Sequence, residues 1–141
     1  MIRSQLAAAP RPPASGVLEY RPGACNIGPA EIARRRRTGH VGLAATILAL
    51  IALLAVGLPP VARLVLILPA AVSAAGYLQA WLRFCAAYGS LGVFNFGVAG
   101  TTQQVADGEA RRRDRRKALQ ISLASFLIGI AVGLAAFLLP L

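Results

Sequence analysis

Three long apolar stretches, 41–58, 61–82 and 118–139, restrict what this chain can fold into more than any other feature. The first and third hold no charged residue; the second holds one, Arg63, near its start. Read as a helix, Val41 to Leu58 reaches about 27 Å, close to the roughly 30 Å thickness of a bilayer's hydrocarbon core. A soluble core would interleave polar and apolar positions at a helix or strand period, and these blocks do not. In lipid every backbone polar group must pair within its own segment, which leaves helices for blocks of this length. The expected fold is an all-α membrane protein: a helical hairpin, a third transmembrane helix and a disordered N-terminal tail. Only 14% of the residues are charged, against about 25% in ordinary soluble domains, and 141 residues allow one domain at most.

The segments around the blocks follow from their punctuation. Residues 1–24 contain Pro10, Pro12, Pro13, Gly16, Pro22 and Gly23, which predicts an extended, proline-rich tail. Its one apolar patch, Leu6 to Ala9, is too short for the core of a cleavable signal, and Ile2 leaves no myristoylation glycine. Residues 25–40 predict a short basic juxtamembrane helix. Gly28 is its N-cap, Pro29 its first residue and Glu31 lies in its first turn; it ends near Thr38 with Arg34 to Arg37 in the last turn. Pro59-Pro60 ends the first span so abruptly that spans one and two form a hairpin, and Pro69 is expected to kink the second. Residues 83–117 read as an interfacial loop and basic linker. The loop is rich in aromatics and glycines, and Thr101 with Gln104 matches a capping box for a helix that runs through Arg111 to Lys117 into the third span.

The net charge of +10 is distributed very unevenly. Arginines 3, 11, 21 and 34–37 precede the first span; Arg83, Arg111, Arg112, Arg113, Arg115, Arg116 and Lys117 follow the second; Arg63 alone lies in the hairpin tip. Positively charged loops stay in the cytoplasm, so the count predicts an inner-membrane protein of bacterial type, N-terminus and long loop inside, hairpin tip and C-terminus outside. The same cations could instead bind anionic lipid headgroups or an acidic partner, at about 1 kcal/mol per residue near an anionic surface. No nucleic-acid module or stacking platform accompanies them.

Few residues are candidates for chemistry. Cys25 falls just before the first span and Cys85 just after the second, so the hairpin brings their segments together. As a functional pair they would form a reactive thiol site among cations, able to accept sulfur or bind metal; as structure they are small buried residues, reduced in the cytosol. His40 is the only histidine and suits an interfacial position, so neither a metal centre nor a cofactor is expected. Gln79 and Tyr77, near the end of the second span, could bond across helices or cap the following loop. No Asp, Glu, Lys or His lies deep in a span, which weighs against a proton-coupled transporter. Ser125, Gly129 and Gly133 recur every fourth residue and offer a close-packing face to the hairpin, to a second copy or to another subunit.

Asn26-Ile27-Gly28 followed by Arg34 to Arg37, then Leu78-Gln79-Ala80, Phe84-Cys85 and Leu91-Gly92-Val93, resembles the small transmembrane domain of YgaP-like inner-membrane rhodaneses and of many stand-alone bacterial proteins. The resemblance covers about residues 25–95. It implies a two-helix hairpin that is prone to oligomerise and a cytoplasm-facing cysteine. Ala86 stands where that family usually has proline after the cysteine, and the proline-rich tail and third helix are additions. No rhodanese domain is present, so sulfurtransferase catalysis does not carry over.

Three functions fit these observations. The first is a structural or accessory subunit of a membrane complex or homo-oligomer. The second is a thiol- or sulfur-linked protein using Cys85 with Cys25, and the third a small oligomeric transporter or channel. No nucleophile–base pair or metal cluster can be named for an enzyme acting alone.

Overall fold

A computed structural model describes residues 19–141. The first 18 residues of the expected tail lie outside the described residues. The order of elements is α1 (Pro29–Val56), a 3-10 helix (Pro60–Leu66), α2 (Ile67–Leu82), α3 (Ala86–Leu91), β1 (Val93–Phe94), β2 (Gln103–Gln104) and α4 (Gly108–Leu138). Three helical segments, Pro29–Val56, Pro60–Leu82 and Gly108–Leu138, are long and apolar enough to cross a membrane. The second segment is the middle layer, with α1 and α4 packed on it.

Small residues set both helix contacts. Association of apolar helices in lipid depends on close packing, because lipid tails are as apolar as leucine. A Cβ added at Gly76 of α2 would collide with the Gly39 backbone nitrogen and stand 2.7 Å from the Arg35 carbonyl oxygen. Ser73 tightens this crossing by donating its hydroxyl to the Gly39 carbonyl at 2.9 Å. On the other side, a Cβ at Gly129 would stand 2.6 Å from the Ile67 carbonyl, and one at Gly133 would collide with the Ile67 side chain. Ser125 is buried on the same face of α4. The Ser125–Gly129–Gly133 face therefore packs against the hairpin of its own chain.

At the hairpin tip Gly57 adopts a left-handed conformation (φ 72°). Its N–H bonds the Leu54 carbonyl and that of Leu58 bonds Leu53, a glycine-terminated cap that turns the chain outward. Pro59-Pro60 then starts the 3-10 helix. Pro69 falls in the first turn of α2, where a missing N–H interrupts little, and the change from 3-10 to α geometry comes at Ile67. The expected kink inside one α-helix is thus a change of helix type at its start.

Several boundaries differ from expectation. The juxtamembrane helix and the first span are one helix of 28 residues. Gly39 does not end it, because its lack of a side chain is used in the crossing with Gly76 and Tyr77. Arg34 to Arg37 consequently sit in the first third of α1, not in a last turn, and their charge does not complement a helix C-terminus. Thr101 is not a helix cap: Gln103 and Gln104 pair in register with Phe94 and Val93. Asp107 caps α4, its carboxylate accepting from the Glu109 and Ala110 N–H groups. The loop after α2 is structured, with α3 packed on α4 and β1 paired with β2. Residues 21–25 form a turn, where an extended tail was expected.

Arg63 is only 4% exposed and donates to the carbonyls of Ala136 (3.1 Å), Leu139 (3.0 Å) and Leu141 (2.8 Å). The last carbonyls of a helix have no partner within it, and a guanidinium can satisfy several at once. Arg63 thereby ties the end of α4 to the hairpin tip.

Candidate functional site

The opposite end of the molecule holds a buried polar cluster. It is assembled from the strand-like segment 25–28, the first two turns of α1, the end of α2, and residues 83–100. Its scaffold is Asn26, which is fully buried. The side chain of Asn26 imitates a peptide group: its Oδ1 accepts from the Cys85 N–H at 2.6 Å and its Nδ2 donates to the Cys85 carbonyl at 3.1 Å. Its main chain bonds Arg83 on one side and Asn95 on the other. One residue thus joins three segments distant in sequence.

Glu31 lies at the centre, with no exposed surface. Its Oε1 accepts from the Tyr88 hydroxyl (2.8 Å), the Asn95 amide (3.1 Å) and the Gly100 N–H (2.8 Å). Arg35 lies 3.7 Å from Oε2, and Arg34 3.9 Å from Oε1. Glu31 precedes the uncharged span beginning at Val41. Desolvation alone would raise its pKa; the donors from Gly100, Tyr88 and Asn95, with the Arg35 charge, prevail and hold it below the ordinary carboxylate value. Burial and the adjacent Glu31 charge push the Tyr88 phenol upward in turn. Two buried atoms here, Glu31 Oε2 and Arg35 Nε, have no hydrogen-bond partner.

The cysteines both belong to this cluster and are free thiols. Cys85 is fully buried, and Arg35 Nη2 approaches its sulfur at 2.9 Å, while the Arg35 guanidinium lies over the Tyr88 ring. Cys25 is 5% exposed; its thiol faces the Ile27 carbonyl, and desolvation raises its pKa. The two segments are brought together as the hairpin requires, through Asn26. Gln79 does not bond across helices: its Oε1 accepts from the Ala86 N–H at 2.9 Å and its Nε2 donates to Ala75, so it caps the chain where α2 ends. Tyr77 meets His40, hydroxyl to Nδ1, at 2.6 Å on the exposed side of the α1–α2 crossing.

A second buried carboxylate fastens α4 to the cluster. Asp114 interrupts the basic run Arg111–Lys117 and is fully buried. It accepts from the Tyr20 hydroxyl and the Gly23 N–H, each at 2.7 Å. Around it Arg112, Arg113, Arg115 and Arg116 are exposed, while Arg111 and Lys117 are partly covered. Arg113 pairs with Glu109 at 3.0 Å. In α1, Arg34, Arg36 and Arg37 are exposed and Arg35 is turned inward.

Glu31, Asp114, Asn95 and Tyr88 are the residues that pattern reading did not single out as a site. A signal existed for the acids. The chain has five acidic residues against fifteen basic ones, and three of the five, Glu31, Glu109 and Asp114, stand inside or beside the arginine clusters. A carboxylate in such a position is a natural internal counter-charge. Asn95 carried no comparable signal, since its role depends on which groups the fold leaves unpaired.

Asn26, Gly28, Gln79, Phe84 and Cys85, which carry the resemblance noted above, all converge on this cluster or its apolar floor, where Phe84 packs with Ala118 and Ile121. Comparison with protein-family models, with curated proteins and with solved structures finds no match for this chain. Among the described residues no group of three or more His, Cys, Asp or Glu side chains could hold a metal ion.

Proposed function

We propose that the chain is a structural or accessory subunit of a bacterial inner membrane, packed against a larger complex or further copies of itself. In this reading its three helices span the bilayer, with the polar cluster and the N-terminus in the cytoplasm and the C-terminus outside. The observation that carries it is the use made of the buried polar side chains. Asn26, Glu31, Asn95 and Asp114 direct their hydrogen bonds to other segments of the same chain, which braces the helix ends. Leu43, Ile47, Leu48 and Ile51 of α1, by contrast, are all exposed. Contiguous apolar surface of this kind marks contact with lipid or with another protein. The charge count supports the orientation, because every arginine and lysine but Arg63 precedes the first span or lies between the second and third.

Crosslinking in native membranes, followed by mass spectrometry of what attaches, tests the subunit reading. Defined crosslinks to one membrane protein or to a second copy are expected. A lone monomer in mild detergent, with nothing attached in native membranes, would refute it.

A second reading rests on one contact, the 2.9 Å approach of Arg35 to the Cys85 sulfur. A thiol beside a guanidinium is the environment in which cysteines become nucleophilic, and Cys85 would then serve sulfur or redox chemistry when its burial opens. A Cys85 that reacts no faster with iodoacetamide than a free-peptide cysteine, even after its segment is loosened by Asn26→Ala, sinks this reading.

A further inference from the structure

We infer that the furrow between α1 and α2 is a binding site for one anionic phospholipid, headgroup on Arg34 and Arg37 and acyl chain along Val41, Ala45, Pro69 and Val72. The inference rests on the membrane-spanning reading above and adds a ligand to it.

The furrow has a volume of about 450 Å³, within the roughly 300–1,000 Å³ of small-molecule clefts. Its lining changes character along its length. Arg34, Arg37 and Thr38 form one end, and Val41, Gly42, Ala45, Pro69 and Val72 the rest. From Arg37 to Ala45 is about 12 Å of helix rise, so a headgroup at the arginines places the upper part of an acyl chain against the apolar wall. The tight Gly42–Ser73 approach forms the floor, since a side chain at residue 42 would collide with the Ser73 backbone. The small Ala45 and the ring of Pro69 leave the furrow open to one side.

Charge complementarity selects the occupant. Arg34 and Arg37 are exposed at the level where α1 passes from polar to apolar, and guanidinium groups bind phosphate in a forked geometry. The nearby acid does not neutralise them. Glu31 lies 3.9 Å from Arg34, but its Oε1 already accepts three hydrogen bonds and its charge is shared with Arg35. Arg37 has no ion-pair partner among the described residues. A zwitterionic lipid would bring its own ammonium against these cations, whereas an anionic one brings net negative charge.

Tryptophan quenching by brominated lipid tests this with the full chain. The single native tryptophan is removed by Trp81→Phe, and a reporter is placed in the furrow by Val72→Trp or on the lipid-facing side of α4 by Leu127→Trp. Gly129 packs on Ala71, so the two reporters lie at similar depth. Each protein is reconstituted in phosphatidylcholine vesicles containing brominated phosphatidylglycerol or brominated phosphatidylcholine. Quenching of both reporters by brominated phosphatidylcholine checks insertion itself, and its absence would overturn the spanning reading. The site is read from the preference ratio. Phosphatidylglycerol should be favoured about fivefold or more at residue 72, the factor one arginine–headgroup contact contributes, and not at residue 127. The double variant Arg34→Gln, Arg37→Gln should abolish the preference, while Arg112→Gln, Arg116→Gln, which removes the same charge elsewhere, should keep it. Equal ratios at the two reporters, or equal loss in the two double variants, would overturn the site in favour of a general surface field and leave the furrow to a protein helix.

Discussion

The Glu31 carboxylate and the Asn95 side-chain amide, 64 positions apart in sequence and both buried, meet at 3.1 Å, and the Asn95 N–H also donates to the Asn26 carbonyl of the N-terminal segment. This contact closes the irregular segment between α2 and α4 over the start of α1. Substituting Glu31→Ala removes the acceptor shared by the Tyr88 hydroxyl, the Asn95 amide and the Gly100 N–H and leaves Arg35 without its counter-charge. Breaking a buried charged network in this way costs roughly 3–5 kcal/mol, so a marked drop in thermal midpoint in detergent is expected.

The same carboxylate sets a pH response. Its folded-state pKa is depressed, so its stabilisation is present above the unfolded carboxylate value and is lost as pH falls through the lower folded value. Thermal midpoints measured from pH 7 down to pH 3 should decline in the acid limb for the native chain. The decline should be shallower for Glu31→Gln, which has no proton to take up.

Asp114 holds the turn at residues 20–25 against α4. In Asp114→Ala the Gly23 N–H loses its acceptor and the Tyr20 hydroxyl its partner. Hydrogen exchange at the Gly23 amide should accelerate about tenfold or more, given about 1–3 kcal/mol for the lost bonds, with exchange deep in α2 unchanged.

Gly76→Val drives a branched side chain into the Gly39 backbone and the Arg35 carbonyl. Overpacking of this kind costs about 1–3 kcal/mol, and the α1–α2 pair has no room to yield because Ser73 bonds across the same crossing. Gly108→Ala is the control: a Cβ there meets nothing within 4 Å, so its unfolding midpoint should match or slightly exceed the native one.

Cys25 should behave as a suppressed thiol. Desolvation raises its pKa, so its alkylation rate as a function of pH should inflect above that of a free-peptide cysteine. Unfolding in denaturant should return the inflection to the peptide value.

Much of the helical layout was legible in the residues because lipid-length apolar runs and proline pairs act locally. The hairpin at Pro59-Pro60, the third helix running through the basic stretch and the close-packing face at Gly129 and Gly133 all follow from such signals. What was not legible depends on tertiary contact. The helix expected to end near Thr38 runs on, because Gly76 needs the missing side chain of Gly39 at the crossing. Nothing in the sequence around Arg63 points to the carbonyls of Ala136 and Leu139 that it bonds. Thr101 and Gln104 fit a capping box in spacing, yet the backbone pairing of Gln104 with Val93 takes precedence and Asp107 supplies the cap. The polar cluster itself was half visible: Asn26, Gln79 and Cys85 carried a motif, while Asn95 gains meaning only from the groups it satisfies.

The central claim is that three helices cross the bilayer with the arginine-rich end held in the cytoplasm. Reporter fusions at the C-terminus, expressed in a bacterial cell, address it most directly. An alkaline phosphatase fused after Leu141 should be active and a green fluorescent protein at the same point dark, because the third crossing delivers this end outside. A fluorescent C-terminal fusion with inactive phosphatase would put this end in the cytoplasm and contradict the account.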